Sequence, residues 1–147
     1  MSLYPIALTV HLLCAILFIG VVFFEVVLLE GVRKRLGDEL MDRFESALIG
    51  RARMIMPFVV ALLFLSGGTL LHYHFSALDF TWSDAFTVLL SIKILLALSV
   101  LVHFISALVA HARGHMSSRR FQFIHLSVAT HMLVIVILAK AMFYVSW

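Results

Sequence analysis

Apolar residues fall into four long runs along this chain, and most of the charged residues collect between them. The runs cover about 5–29, 54–73, 84–110 and 121–145. A helix rises 1.5 Å per residue, so ~20 apolar residues cross the hydrocarbon of a bilayer, and each run is long enough. Open strands cannot span lipid, because their backbone groups would go unpaired, and four segments cannot close a barrel. Pro5 and Pro57 sit in the expected first turns of their helices, where a missing N–H costs nothing. The pattern predicts an all-α fold, a four-transmembrane-helix bundle forming one domain over 1–147. Residues 38–48 read as a short amphipathic helix at the membrane interface.

The charged positions give these runs a direction. Arg33, Lys34, Arg35, Arg43, Arg51 and Arg53 lie between the first and second runs, and Arg113, Arg119 and Arg120 between the third and fourth. The N-terminal residues and the segment "HFSALDFTWSD" contain no Lys or Arg. Basic loops stay on the cytoplasmic side, so both termini are expected outside, in a periplasmic position across a bacterial-type inner membrane. Tyr4, Trp82, Tyr144 and Trp147 then form an outer aromatic belt.

Composition agrees with a lipid environment. Hydrophobic residues make up 63% of the chain and charged residues 13%, with a mean hydropathy of +1.11. A soluble domain of this size needs more polar surface to cover its core. The pI near 9.4 follows from the basic loops and does not indicate nucleic-acid binding. Cys14 is the only cysteine, so neither an intramolecular disulfide nor covalent c-type haem attachment is open to the chain. The first run lacks a basic leader and a cleavage site and reads as a retained helix. Low complexity and internal repeats are absent, as are serine-hydrolase, P-loop, Rossmann and zinc-protease signatures.

What needs explaining is the set of polar groups inside the runs. The chain has eight histidines, and His11, His103 and His131 fall within spans, as does Lys93. A titratable group there costs ~2.5–3.5 kcal/mol on insertion scales, so it normally faces other helices and has a partner. His11, Cys14, Phe18 and Glu25 share one helical stripe. Counted in depth, His11, Lys93, His72 and His74 belong to an outer layer, and His103, His125 and His131 to an inner one.

Histidines at matched depths suit haem b, whose iron takes axial imidazoles from facing helices. The iron candidates are His11 with His72 or His74 outside and His103 with His131 or His125 inside, with Ser66, Gly67 and Gly68 making room for a porphyrin. The leading expectation is thus a b-type haem protein with a redox or electron-transfer role, a membrane oxidoreductase with a redox partner. Copper is a second cofactor candidate, at His111 and His115 with i, i+4 spacing on a helical extension. A proton path through His11, Glu25, Lys93, His103 and His131 is a third reading. A cofactor-free structural subunit is a fourth. Four spans bury little surface, which leaves room for a homodimer.

The first span, "TVHLLCAILFIG", has an early histidine and a later glycine, and the third, "SIKILLALSVLVHF", an early lysine and a histidine ten residues on. This pattern resembles the CopD-like membrane proteins and the related HemJ family, small four-span units. The resemblance implies copper handling or protoporphyrinogen oxidation, the latter with haem b and a porphyrin substrate, and functional roles for His11 and Lys93.

Overall fold

The computed structural model describes residues 3–77, 84–114 and 118–146. All of their regular structure is helical. Helix α1 (Tyr4–Phe23) starts with Pro5 in its first turn and passes into a π-helical segment (Phe24–Leu29), followed by α2 (Glu30–Leu36). Helix α3 covers Asp38–Ala77, α4 covers Ala85–Ala112 and α5 covers Ser118–Ala141. Four helical stretches have membrane-spanning length and composition: Tyr4–Arg33, Glu39–Phe75, Ala85–Ala112 and Arg120–Ala141. This is a multi-pass membrane protein, as the apolar runs predict.

The chain divides into two compact units, Met1–Asp79 and Phe80–Trp147. In the first, α1 packs on α3, and the π-helical segment and α2 continue that contact. Gly37, with φ of 75°, makes the reversal between α2 and α3 in a backbone region that side chains with a Cβ avoid. In the second unit, α4 packs on α5, and Gly114 (φ 68°) begins the turn between them.

The stripe expected on the first span is the packed face of α1. Cys14, Phe18 and Val22 are buried along it, with His11 half-buried at its N-terminal end and Glu25 half-buried in the π-helical segment. The opposite surface is apolar and open: Ile16 is 66% exposed, as are Phe58 (74%) on α3 and Phe123 (69%) on α5. Apolar surface on this scale fits lipid and not water. Edge-to-face rings close one end of each pair, Tyr4 on Tyr73 (5.9 Å between centroids) and Phe86 on Phe143 (5.5 Å). Of the expected belt, Trp82 and Trp147 lie outside the described residues, and Tyr144 is exposed.

One element departs from the sequence reading. The amphipathic segment at 38–48 and the second span are a single 40-residue helix, with Pro57 in its interior and not in a first turn. The packing face explains the fusion. Met41, Val59 and Ser66 are buried, and they follow one another after about five and then two turns of helix on one stripe. A break at Gly50 or Pro57 would put that stripe out of register. At 1.5 Å per residue α3 is ~60 Å long, about twice the hydrocarbon thickness, so its first third runs beyond the membrane beside α2. There Arg33 and Glu45 form an ion pair between α2 and α3.

Candidate functional site

The most connected polar group within a span lies between α4 and α5. Ser99 and His103 stand one turn apart on α4, and Ser127 and His131 repeat the arrangement on α5. Because the helices are antiparallel, the serine of each meets the histidine of the other. His103 Nδ1 donates to the carbonyl of Ser99 (2.8 Å), and His131 Nδ1 to the carbonyl of Ser127 (2.7 Å). A carbonyl oxygen only accepts, so each Nδ1 carries the ring proton and each Nε2 is left as an acceptor. The hydroxyl of Ser127 lies 3.3 Å from His103 Nε2, and that of Ser99 lies 3.2 Å from His131 Nε2. The result is a closed ring of two imidazoles and two hydroxyls, with the imidazole centroids 5.6 Å apart. Val100 on α4 and Ile124, Val128 and Met132 on α5 are buried around it. The Ser106 hydroxyl donates to the carbonyl of His103 (2.8 Å).

His11 is held differently, in the α1–α3 pair. Its Nδ1 donates to the carbonyl of Leu63 (3.0 Å), with the Ser66 hydroxyl 3.4 Å away. That hydroxyl donates to the carbonyls of Leu62 (2.6 Å) and Leu63 (3.1 Å). The imidazole lies flat enough on α3 that a Cβ on Gly67 would come within 3.0 Å of His11 Cε1. Gly67 makes room for this ring, and not for a porphyrin.

The expected haem b is overturned by this geometry. Among the described residues no group of three or more His, Cys, Asp or Glu converges to hold a metal ion. His103 and His131 do come together, but both nitrogens of each ring are engaged in the hydrogen bonds above. His11 and His72 do not form a pair. His72 is exposed with its ring beside Tyr73 (6.3 Å), at the level of Tyr4 and about 10 Å along the helices from His11. His125 donates from Nδ1 to the Phe121 carbonyl (2.9 Å) and stacks on that residue's ring (4.0 Å).

The expected copper site is overturned too. His111 joins no donor cluster among the described residues, and His115 lies outside them. Helix α4 ends at Ala112. The haem-iron, metal-binding and oxidoreductase readings fall with these cofactors.

Lys93 is half-buried in α4 and makes no hydrogen bond or ion pair among the described residues. Comparisons with protein-family models, curated proteins and solved structures give no match to this chain. The site therefore has to be read from its own atoms. The partners that sequence reasoning missed are Ser127, the Leu63 carbonyl and the role of Gly67. A legible signal existed for the ring: Ser-x-x-x-His occurs once on each of the last two spans, at Ser99–His103 and Ser127–His131.

Proposed function

We propose that this multi-pass protein takes up and releases protons within the bilayer, at the His103–Ser127–His131–Ser99 ring, and couples its work to that exchange. The observation that supports this is the reciprocal hydrogen bonding, which leaves one proton on each imidazole and a hydroxyl facing each acceptor nitrogen. A proton arriving at either Nε2 turns that atom into a donor, and the facing serine oxygen accepts. The serine hydrogen then needs a new acceptor. The carbonyl four residues back serves that purpose elsewhere in this protein: Ser66 donates to Leu62 and Ser91 to Thr87. Two imidazolium charges 5.6 Å apart repel by about 3 kcal/mol at an effective dielectric near 20. The ring therefore holds one extra proton and not two.

The wider setting belongs to the same reading. The confinement of most Lys and Arg to two loops supports a bacterial-type inner membrane with both termini outside. Kinship with the CopD-like and HemJ-like proteins is proposed for architecture alone, supported by four spans with His11 in the first and Lys93 in the third.

The test is proton stoichiometry. Detergent-purified protein is titrated with acid, and proton uptake is compared with His103→Gln/His131→Gln. A difference of about one proton is expected. In liposomes carrying a trapped pH dye, the wild type should pass protons faster than the double variant. Zero difference in both measurements would make the ring an interhelical fastener and nothing more.

A further inference from the structure

The exposed face of α3 carries a repeat of its own. Leu40, Phe44 and Ala47 begin a series that advances by alternating steps of four and three residues as far as Phe75, and every position in it is exposed. Such steps average 3.5 residues, the period of a seam that a second helix follows by supercoiling left-handedly. The buried stripe of Met41, Val59 and Ser66 is a separate one. Arg51 and His72 are the polar members of the series. They stand 21 residues apart, about 32 Å along the axis, and so flank a hydrocarbon layer of ~30 Å. Between them come Met54, Phe58, Ala61, Leu65 and Gly68, all apolar or without a side chain. Before Arg51 the series continues outside that layer, where Leu40 is 56% and Phe44 44% exposed. Glu39, Asp42, Arg43 and Ser46 give this third of the helix a polar side. Because α3 is continuous through Pro57, the third cannot turn to lie flat on the membrane. Lipid therefore leaves Leu40 and Phe44 uncovered.

We propose that this series is the seam of a parallel dimer, in which α3 packs along α3 of a second copy of this chain. The length of the series selects that occupant. From Leu40 to Phe75 it extends about 53 Å. With 28 and 24 residues, α4 and α5 reach only about 42 and 36 Å, and α1 is already engaged in packing on α3. Another α3, with 40 residues, covers the whole series. Two copies inserted in the same direction are related by a two-fold axis along the membrane normal, which sets each seam residue opposite its own counterpart. Ala47, Ala61 and Gly68 each follow a large residue of the seam by three positions, after Phe44, Phe58 and Leu65. Small residues let helix backbones approach closely in lipid, where packing drives association. Arg51 meets its counterpart at the membrane surface, and a charged residue at one seam position fixes the register at a cost in stability. The seam belongs to the first unit and is independent of proton exchange at the His103–His131 ring.

Disulfide trapping of the full chain in its membrane tests this. Ala47→Cys and Ala61→Cys are made singly in a Cys14→Ala background, so that any disulfide must join two chains. Ser46→Cys, one position off the seam, and Ile16→Cys, on the exposed face of α1, are the controls. Oxidation should give a product of twice the chain's mass at both seam positions, where the paired Cα atoms come near the ~4.4–6.8 Å that a disulfide spans. The controls should stay at the mass of one chain. Adding Arg51→Leu to the Ala61→Cys protein should raise the trapped fraction, since a like-charged pair is removed from the seam. Wild-type chains labelled with donor and acceptor at the N-terminus and mixed in vesicles should transfer energy beyond the level of random placement, a measurement that needs no substitution. Absence of trapping at both seam positions, as when lipid or the chain's own second unit covers the face, would overturn the proposal. So would equal trapping at all four positions, a product of another mass, an unchanged or lower fraction with Arg51→Leu, or energy transfer at the random level.

Discussion

Gly67 and Gly68 are neighbours on α3, and replacing each with alanine should shift stability in opposite directions. Alanine is favoured over glycine in a helix interior by about 0.8–1.0 kcal/mol. At Gly68 a Cβ would meet nothing within 4 Å, so that gain stands alone. At Gly67 the Cβ would sit 3.0 Å from His11 Cε1 and 3.2 Å from its Nδ1. The atom it meets belongs to a ring that is itself tied by Nδ1 to the Leu63 carbonyl, so the ring cannot yield without stretching that bond. Overpacking costs about 1–3 kcal/mol, and a weakened interhelical hydrogen bond in a membrane adds about 0.6. Against the helical gain, Gly67→Ala should destabilise by about 1–2 kcal/mol, while Gly68→Ala stabilises by up to about 1. Reversible unfolding in mixed detergent micelles measures both. A double-mutant cycle with His11→Ala sharpens the test, since removing the ring frees the space and Gly67→Ala should then become neutral or stabilising. Equal effects of the two glycine substitutions, or no coupling to His11, would refute the packing of the imidazole on Gly67.

Other substitutions probe the ring and the long helix. Ser99→Ala and Ser127→Ala each strip one histidine acceptor of its donor, and each should cost about 0.6–1.7 kcal/mol in the same unfolding assay. Because the four groups form one circuit, the double variant should cost less than the sum of the two. Pro57→Ala restores an amide where a helix interior lacks one, and a proline there disfavours the helix by about 3 kcal/mol relative to alanine. The substitution should stabilise α3 and raise its protection from hydrogen exchange around Arg53, with no change in the helix boundaries. A fall in stability would mean that Pro57 shapes a bend the packing needs.

The spans were legible because burial in lipid imposes a long, nearly unbroken apolar run, a signal that survives without neighbours. Their partners were less so. The stripe of Cys14 and Phe18 could be read from helical periodicity alone, whereas the fate of His11 depended on a backbone carbonyl, Leu63, and on the absence of a side chain at Gly67. Neither carries a mark in the sequence. His103 and His131 were correctly set at one depth, but an imidazole in a span has two ways to be satisfied, by a metal or by hydrogen bonds, and residue type does not choose between them. The choice falls to Ser99 and Ser127, whose position one turn before each histidine matters only once the helices are seen to run antiparallel and in contact. Pro57 misled for a related reason. As a local signal it starts a helix, yet the register of Met41, Val59 and Ser66 on one face favours continuity.

The ring also has an electrical aspect. Its two imidazoles lie on antiparallel helices with centroids 5.6 Å apart, which bounds any difference in their depth. A proton passing from one to the other thus moves across as much as about one-fifth of a ~30 Å hydrocarbon layer. A full crossing is worth ~2.3 kcal/mol per 100 mV, so this step is worth up to about 0.4 kcal/mol per 100 mV. Under the proposed proton exchange, which histidine holds the extra proton depends weakly on membrane voltage, and the ring acts as a small dipole that the cell's own potential can tilt.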